Sequence, residues 1–162
     1  MTALAAPIES LVLIAWSRIW SSVAPIAWFH EAWKALDLPD DEALRDIEFC
    51  SAFHAGVPAP RVPLLLHAAL DRPGDVVRMD WMRVMAHLGL APGDPMLPPD
   101  HLAIACEIFA QAVARDEGLI IGELRSRYLE PWCDAAARRL SAEDPRLTAI
   151  VERFREALRT AG

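Results

Sequence analysis

Two proton-exchanging side chains stand next to each other at Asp100-His101, directly after Pro98-Pro99 and directly before an apolar segment that opens at Leu102. Cys106-Glu107-Ile108-Phe109 follows one to two turns later, and Tyr128-Leu129-Glu130-Pro131-Trp132 lies beyond. A carboxylate beside an imidazole could form the heart of an enzyme site. It could equally close a loop: two prolines stop what precedes them, and an Asp at a helix mouth accepts hydrogen bonds from the unpaired N–H groups of the first turn, worth about 1 kcal/mol. The enzyme reading lacks a third polar group or a nucleophile placed by the sequence. In the capping reading Asp100 is the N-cap and His101 an exposed first-turn residue. Asp100→Asn would then fold almost normally, because Asn caps nearly as well.

Other chemistry is thinly represented. The seven glycines are scattered singly, and no glycine-rich phosphate loop, dinucleotide fingerprint or Gly-x-Ser-x-Gly elbow occurs. His30, His54, His67, His87 and His101 never form a His-x-x-x-His pair, and His101 and Cys106 stand five apart, off one helical face. No metal or other cofactor is therefore expected, and no catalytic residue is assigned. Asp40 and Asp41 lie at a helix start, where the macrodipole favours negative charge without any catalytic role. The three cysteines, Cys50, Cys106 and Cys133, include no Cys-x-x-Cys pair, which fits buried free thiols in a reducing compartment.

The large apolar side chains divide into core and candidate groove. Of six tryptophans, Trp16, Trp20 and Trp28 read as core, and Trp33, Trp81 and Trp132 as the lining of a partner groove, since large aromatics anchor peptide interfaces. Met79, Met82 and Met85 recur at i, i+3, i+6. Ordinary core packing is the favoured reading, against an adaptable peptide-binding surface.

The elements that must position these groups are helical nearly throughout. Leu11, Ile14, Ala15, Arg18 and Ile19 follow helical spacing, and Pro25 separates that helix from one running to about Leu36. Leu38-Pro39-Asp40-Asp41 forms a turn before a helix with Leu44, Ile47 and Phe53 facing the core. Gly56 to Pro63 is a connector with three prolines. A short helix spans Leu64 to Leu70, and another about Val76 to Leu88, stopped at Gly89. A second loop runs from Ala91 to Pro99, including Gly93 and Pro95. The helix after His101 turns Leu102, Ala105, Phe109, Ala112 and Val113 to one face, and Gly118 and Gly122 flank a bend. Pro131 opens a helix at its first position, as does Pro145 after Asp144, where Leu147, Ile150, Val151, Phe154 and Leu158 form an inner face. No alternating strand run or hairpin signal appears. The expectation is an all-α, single-domain bundle of about seven or eight helices over residues 1–162.

Composition bounds the function. A hydrophobic share of 54% argues against disorder, and a net charge of −7 disfavours nucleic acid, whose phosphates need Lys and Arg. Within residues 1–60, Arg18, Lys34 and Arg45 face eight carboxylates, a net of −5, so a basic partner segment would be suited there, although a solvated acidic face is the plainer reading. The apolar stretch 8–29 is interrupted by Glu9, Arg18 and Pro25 and has no basic residue before Arg18, which argues against a signal or membrane segment. A cytoplasmic protein with no stable membrane insertion is expected.

The ordered set Pro-Pro-Asp-His, the helix behind it and the Leu-x-Pro-Trp helix start resembles the TorD/DmsD/NarJ family of molybdoenzyme maturation chaperones. The similarity covers roughly Phe53 to Leu158 and is strongest from Pro98 to Leu140. Within the family the chain looks closest to the chaperones of type II dimethylsulfoxide-reductase-like enzymes. The resemblance implies a TorD-like fold and a monomer or homodimer. It also implies a non-catalytic role: binding the apo, molybdopterin-containing catalytic subunit through its N-terminal segment, often a twin-arginine leader, until cofactor is inserted. It places partner binding at Asp100 and His101, with Pro99, Trp81, Tyr128 and Trp132 around them. A helical adaptor or subunit without chaperone function is the alternative, as is an enzyme built on Asp100 and His101.

Overall fold

The computed structural model describes residues 6–92 and 96–162, so Gly93 and Pro95 of the second loop lie outside the described residues. Eight helices occur among them. α1 is Ile8–Trp20 and α2 is Ile26–Ala35. α3 joins a wide π turn, Leu44–Phe49, to Cys50–Phe53. α4 is the single turn Leu66–Ala69, α5 is Gly74–His87 and α6 is Leu102–Ala114. α7 runs over 118–140, with Arg125–Leu129 again wound as π helix, and α8 is Pro145–Thr160. The only β pairing among the described residues is an isolated antiparallel bridge between Leu65 and His101. The architecture is all-α.

α6 is the central post. Ten of its thirteen residues are buried, so it is apolar all round, as a helix enclosed by others must be. Its alanines at 103, 105, 110 and 112 leave room for neighbours, and α1 makes the most extensive contact with it. Ser10 Oγ on α1 donates to the Ala110 carbonyl at 3.0 Å, satisfying a hydroxyl that is only 4% exposed. Trp20 gathers an aromatic cluster: Trp16, Phe49, Phe53, Trp132 and Phe154 all lie with ring centroids 5.1–5.7 Å from it.

The inner face foreseen for α8 is the observed one, with Leu147, Ile150, Val151, Phe154 and Leu158 all buried. Four expectations are corrected. Ile47 is 68% exposed, because the π turn advances the buried stripe by five residues, from Leu44 to Phe49, rather than by three. Trp28 is 49% exposed, with the Arg18 guanidinium 5.2 Å from its ring, and does not belong to the core. Gly118 and Gly122 do not flank a bend but are helical; the chain turns instead at Asp116, two residues past the end of α6, at φ 55°, with Glu117 N–H donating to the Ala112 carbonyl. The helix expected over Leu64 to Leu70 is also shorter, because Leu64 and Leu65 are drawn into the bridge.

Candidate functional site

The Pro-Pro-Asp-His segment folds one residue out of the expected register. Asp100 does not cap α6. His101 does: its Nδ1 accepts from Ala103 N–H at 3.2 Å, which puts the ring proton on Nε2. The next free donor, Leu102 N–H, is taken by the Leu64 carbonyl at 2.8 Å, and Leu66 N–H donates to the Asp100 carbonyl at 2.9 Å. The proline-rich connector and the mouth of α6 are thus laced together by backbone hydrogen bonds.

His101 is 6% exposed rather than free in solvent. Burial, with the His54 ring nearby, pushes its imidazole down to about 4, the Asp100 charge opposing. Burial likewise holds His54 below the usual histidine range. A neutral ring is what the cap requires, since only an unprotonated Nδ1 can accept.

Asp100 turns the other way and has no exposed surface. Its Oδ2 receives His67 Nδ1 at 2.5 Å and His67 N–H at 3.3 Å, and its Oδ1 receives Arg78 Nε at 3.0 Å. One buried carboxylate therefore ties α4, through His67, to α5, through Arg78, at the start of α6. Gly74, the first residue of α5, lies where an added Cβ would stand 3.2 Å from the His67 ring, so the imidazole fills the space its missing side chain leaves.

A second carboxylate holds the same helix from another side. Asp80 of α5 accepts from Tyr128 Oη at 2.5 Å and from Arg127 Nη2 at 2.9 Å. The Tyr128 hydrogen bond holds Asp80 below the usual carboxylate range, while burial and the Asp80 charge push the phenol up to about 12. Tyr128 packs on Trp81 at 5.5 Å and carries the Arg72 and Arg127 guanidiniums beside its ring. Pro131 has no N–H to offer the Arg127 carbonyl four residues back, and Arg72 Nη1 donates to that carbonyl at 2.9 Å.

The expected groove lining is core instead. Trp81 and Trp132 are 0% exposed and Trp33 is 3% exposed. Trp132 Nε1 donates to the Pro63 carbonyl at 2.9 Å, bracing the connector, and Trp33 Nε1 donates to the Pro39 carbonyl. Pro99 is half-buried. The structure brings Asp100, His101 and Pro99 to one junction and Trp81 with Tyr128 to a neighbouring one. Asp100 and Tyr128 bond to residues of α5, which also carries Trp81, whereas His101 caps α6 and Trp132 braces the connector.

Sequence reasoning missed His67, Arg78 and Asp80, whose partners lie 22 to 48 residues away and leave no local pattern. The methionines also separate. Met85 is 8% exposed and belongs to the core, but Met79 and Met82 are 47% and 51% exposed and, with Val76 at 55%, form an apolar strip along the outside of α5. The acidic region around α3 is partly neutralised from within: Arg146 reaches Asp41 and Glu48, and Arg45 and His30 reach Asp46.

Among the described residues no group of three or more His, Cys, Asp or Glu gathers as a metal would require, and no helix is long and apolar enough to cross a membrane. Comparison of the chain with protein-family models, curated proteins and solved structures returns no match.

Proposed function

We propose that the chain is a cytoplasmic maturation chaperone that holds the N-terminal segment of an apo molybdopterin oxidoreductase subunit, often a twin-arginine leader, until the cofactor is in place. The observation that carries this reading is the construction of α5. Its outer side offers Val76, Met79 and Met82 to solvent, while Arg78, Asp80 and Trp81 anchor its remaining sides to Asp100, Tyr128 and the core. Flexible methionines adapt to varied apolar partners, and a rigidly mounted strip binds at lower entropic cost than a mobile one.

In this reading His101 caps α6, and Asp100, Trp81 and Tyr128 are positioning residues. Their side chains lie behind the strip and set where it stands, which accounts for an ordered motif whose members present almost no surface. The Asp100 carboxylate has both oxygens engaged by Arg78 and His67 and no exposure, an arrangement suited to holding helices together rather than to exchanging a proton with a substrate.

The test begins with a pull-down from the native host to identify the co-purifying subunit, followed by calorimetric titration with a peptide of its N-terminal segment. Met79→Ser combined with Met82→Ser should leave the melting temperature within about 2 °C of wild type, since both side chains are half in solvent, yet weaken peptide binding about tenfold. Wild-type affinity in the double variant would refute the assignment of the strip, and a helical complex lacking any molybdoenzyme subunit would favour the adaptor reading.

A further inference from the structure

Arg72, Arg138 and Arg139 line one surface cleft of about 530 Å³, and among the described residues none of the three is ion-paired with a carboxylate. Three guanidiniums thus stand together on one wall of a chain whose net charge is −7. Two of them are planted. Arg72 Nη1 donates to the Arg127 carbonyl at 2.9 Å with its guanidinium beside the Tyr128 ring, and Arg139 Nη1 donates to the Ala69 carbonyl at 3.2 Å. Each keeps further N–H donors for another partner, since a guanidinium carries five. Arg138 is exposed and makes no hydrogen bond or ion pair among the described residues.

The carboxylates at the cleft do not cancel this charge. Asp134 is occupied by Arg155 Nη1 at 2.7 Å, and Arg155 also reaches Glu152 at 3.2 Å, so this trio adds no positive charge to the cleft. That leaves Asp71, among the described residues, as the one lining carboxylate without a cationic partner, a single negative charge against three positive ones. The floor is small and apolar, from Ala69, Leu70, Pro131 and Ala135. The volume falls within the range of small-molecule sites, roughly 300–1,000 Å³.

We propose that this cleft binds a phosphorylated small molecule, its di- or polyanionic phosphate held by Arg72, Arg138 and Arg139. Guanidiniums bind phosphate in a bidentate fashion, and two that are already fixed lose little freedom on binding. The site is separate from the outer strip of α5, and the inference stands whether or not that strip takes a client.

The experiment is calorimetric titration of the full chain with pyrophosphate and, separately, with adenosine diphosphate, at fixed ionic strength in chloride. Saturable binding of either is expected. Arg138→Gln should weaken it about tenfold, the loss expected for one exposed charge-assisted contact, with an unchanged melting temperature. Arg138→Lys should restore part of it, and Lys34→Gln, which removes one positive charge elsewhere, should change nothing. Tighter binding of the nucleotide than of pyrophosphate assigns the cleft to a nucleotide, and the reverse assigns it to a free polyphosphate. No saturable binding by either probe, or equal weakening by Lys34→Gln, overturns the proposal.

Discussion

Asp100→Asn is the sharpest perturbation of this fold. The substitution keeps the shape of the side chain but removes its charge and replaces one acceptor oxygen by an NH2 group. Three donors converge on that carboxylate: Arg78 Nε at 3.0 Å, His67 Nδ1 at 2.5 Å and His67 N–H at 3.3 Å. Either orientation of the amide sets a donor against a donor. Hydrogen bonds to a charged group contribute about 1.5–3 kcal/mol each, and breaking a buried ion pair costs about 3–5 kcal/mol. The partners are less enclosed than Asp100, with side-chain exposures of 43% for Arg78 and 22% for His67, so both regain water and the full sum does not apply. A net loss of about 3 kcal/mol follows, which for a chain of this length lowers the melting temperature by roughly 6–12 °C. Thermal and urea melts of Asp100→Asn, Arg78→Gln and the double variant measure it. The two single losses should overlap in the double variant, because each removes the same ion pair. A fall of less than about 2 °C for Asp100→Asn would refute the tie between α4, α5 and α6, and would restore the capping role that an Asp before a helix first suggests.

Three further outcomes follow from the geometry. His101 binds its proton less readily folded, at about 4, than unfolded, near 6.5, so the unfolded chain takes up more protons between those values; stability should be complete above pH 6.5 and fall by about 3 kcal/mol as pH drops toward 4, an acid-side slope that His101→Asn flattens while preserving a cap, read by urea melts across pH. Tyr128→Phe should cost about 1–2 kcal/mol by removing the donor to Asp80, and because Tyr128 is the only tyrosine, tyrosinate absorbance of the folded wild type should rise well above pH 10, toward 12; a rise near 10 without unfolding would place the phenol in solvent. Gly56→Ala would set a Cβ 2.7 Å from the Ala59 carbonyl oxygen and 2.8 Å from Pro60 Cα, backbone atoms that cannot swing aside, so a loss of about 1–3 kcal/mol is expected in a denaturant melt and a neutral result would show that the connector adjusts.

The helices were legible where periodicity had only one interpretation. α8 reads at 3.6 residues per turn from Pro145 onward, and its five inner residues are the buried ones. Gly89 stops α5 at φ 63° as a left-handed glycine should, with Leu90 N–H closing on the Met85 carbonyl. Three equivalent turns are made by aspartates, whose part in them was not read: Asp37, Asp71 and Asp116 take φ values of 50–55°, and the residue after each donates to a carbonyl five positions back. Aspartate tolerates that conformation without advertising it, so a search for glycine alone overlooks it. The π turns were hidden for a related reason. Leu44 to Ile47 is a sound helical step, and only the burial of Phe49 five residues on reveals the wider winding.

The mouth of α6 was legible in position and its cap was misread. Pro98-Pro99-Asp100-His101 does open α6, yet local rules rank Asp above His as a cap, and they assign Asp100 the job that His101 performs. What overrides the local preference is tertiary: a cation on α5 and an imidazole on α4 draw the carboxylate inward, and the backbone bridge from Leu65 to His101 fixes the chain with its α6 donors already partly served. The same logic explains the tryptophans. Trp81 and Trp132 are as large and apolar as any groove anchor, and sequence cannot tell an anchor from a core side chain, since both roles select for buried area. The distinction appears only one position further along the helix, where Met82 beside Trp81 faces solvent. Whatever contacts the outer side of α5 meets methionine rather than tryptophan, because the large aromatic of that helix, Trp81, is spent on the core behind it.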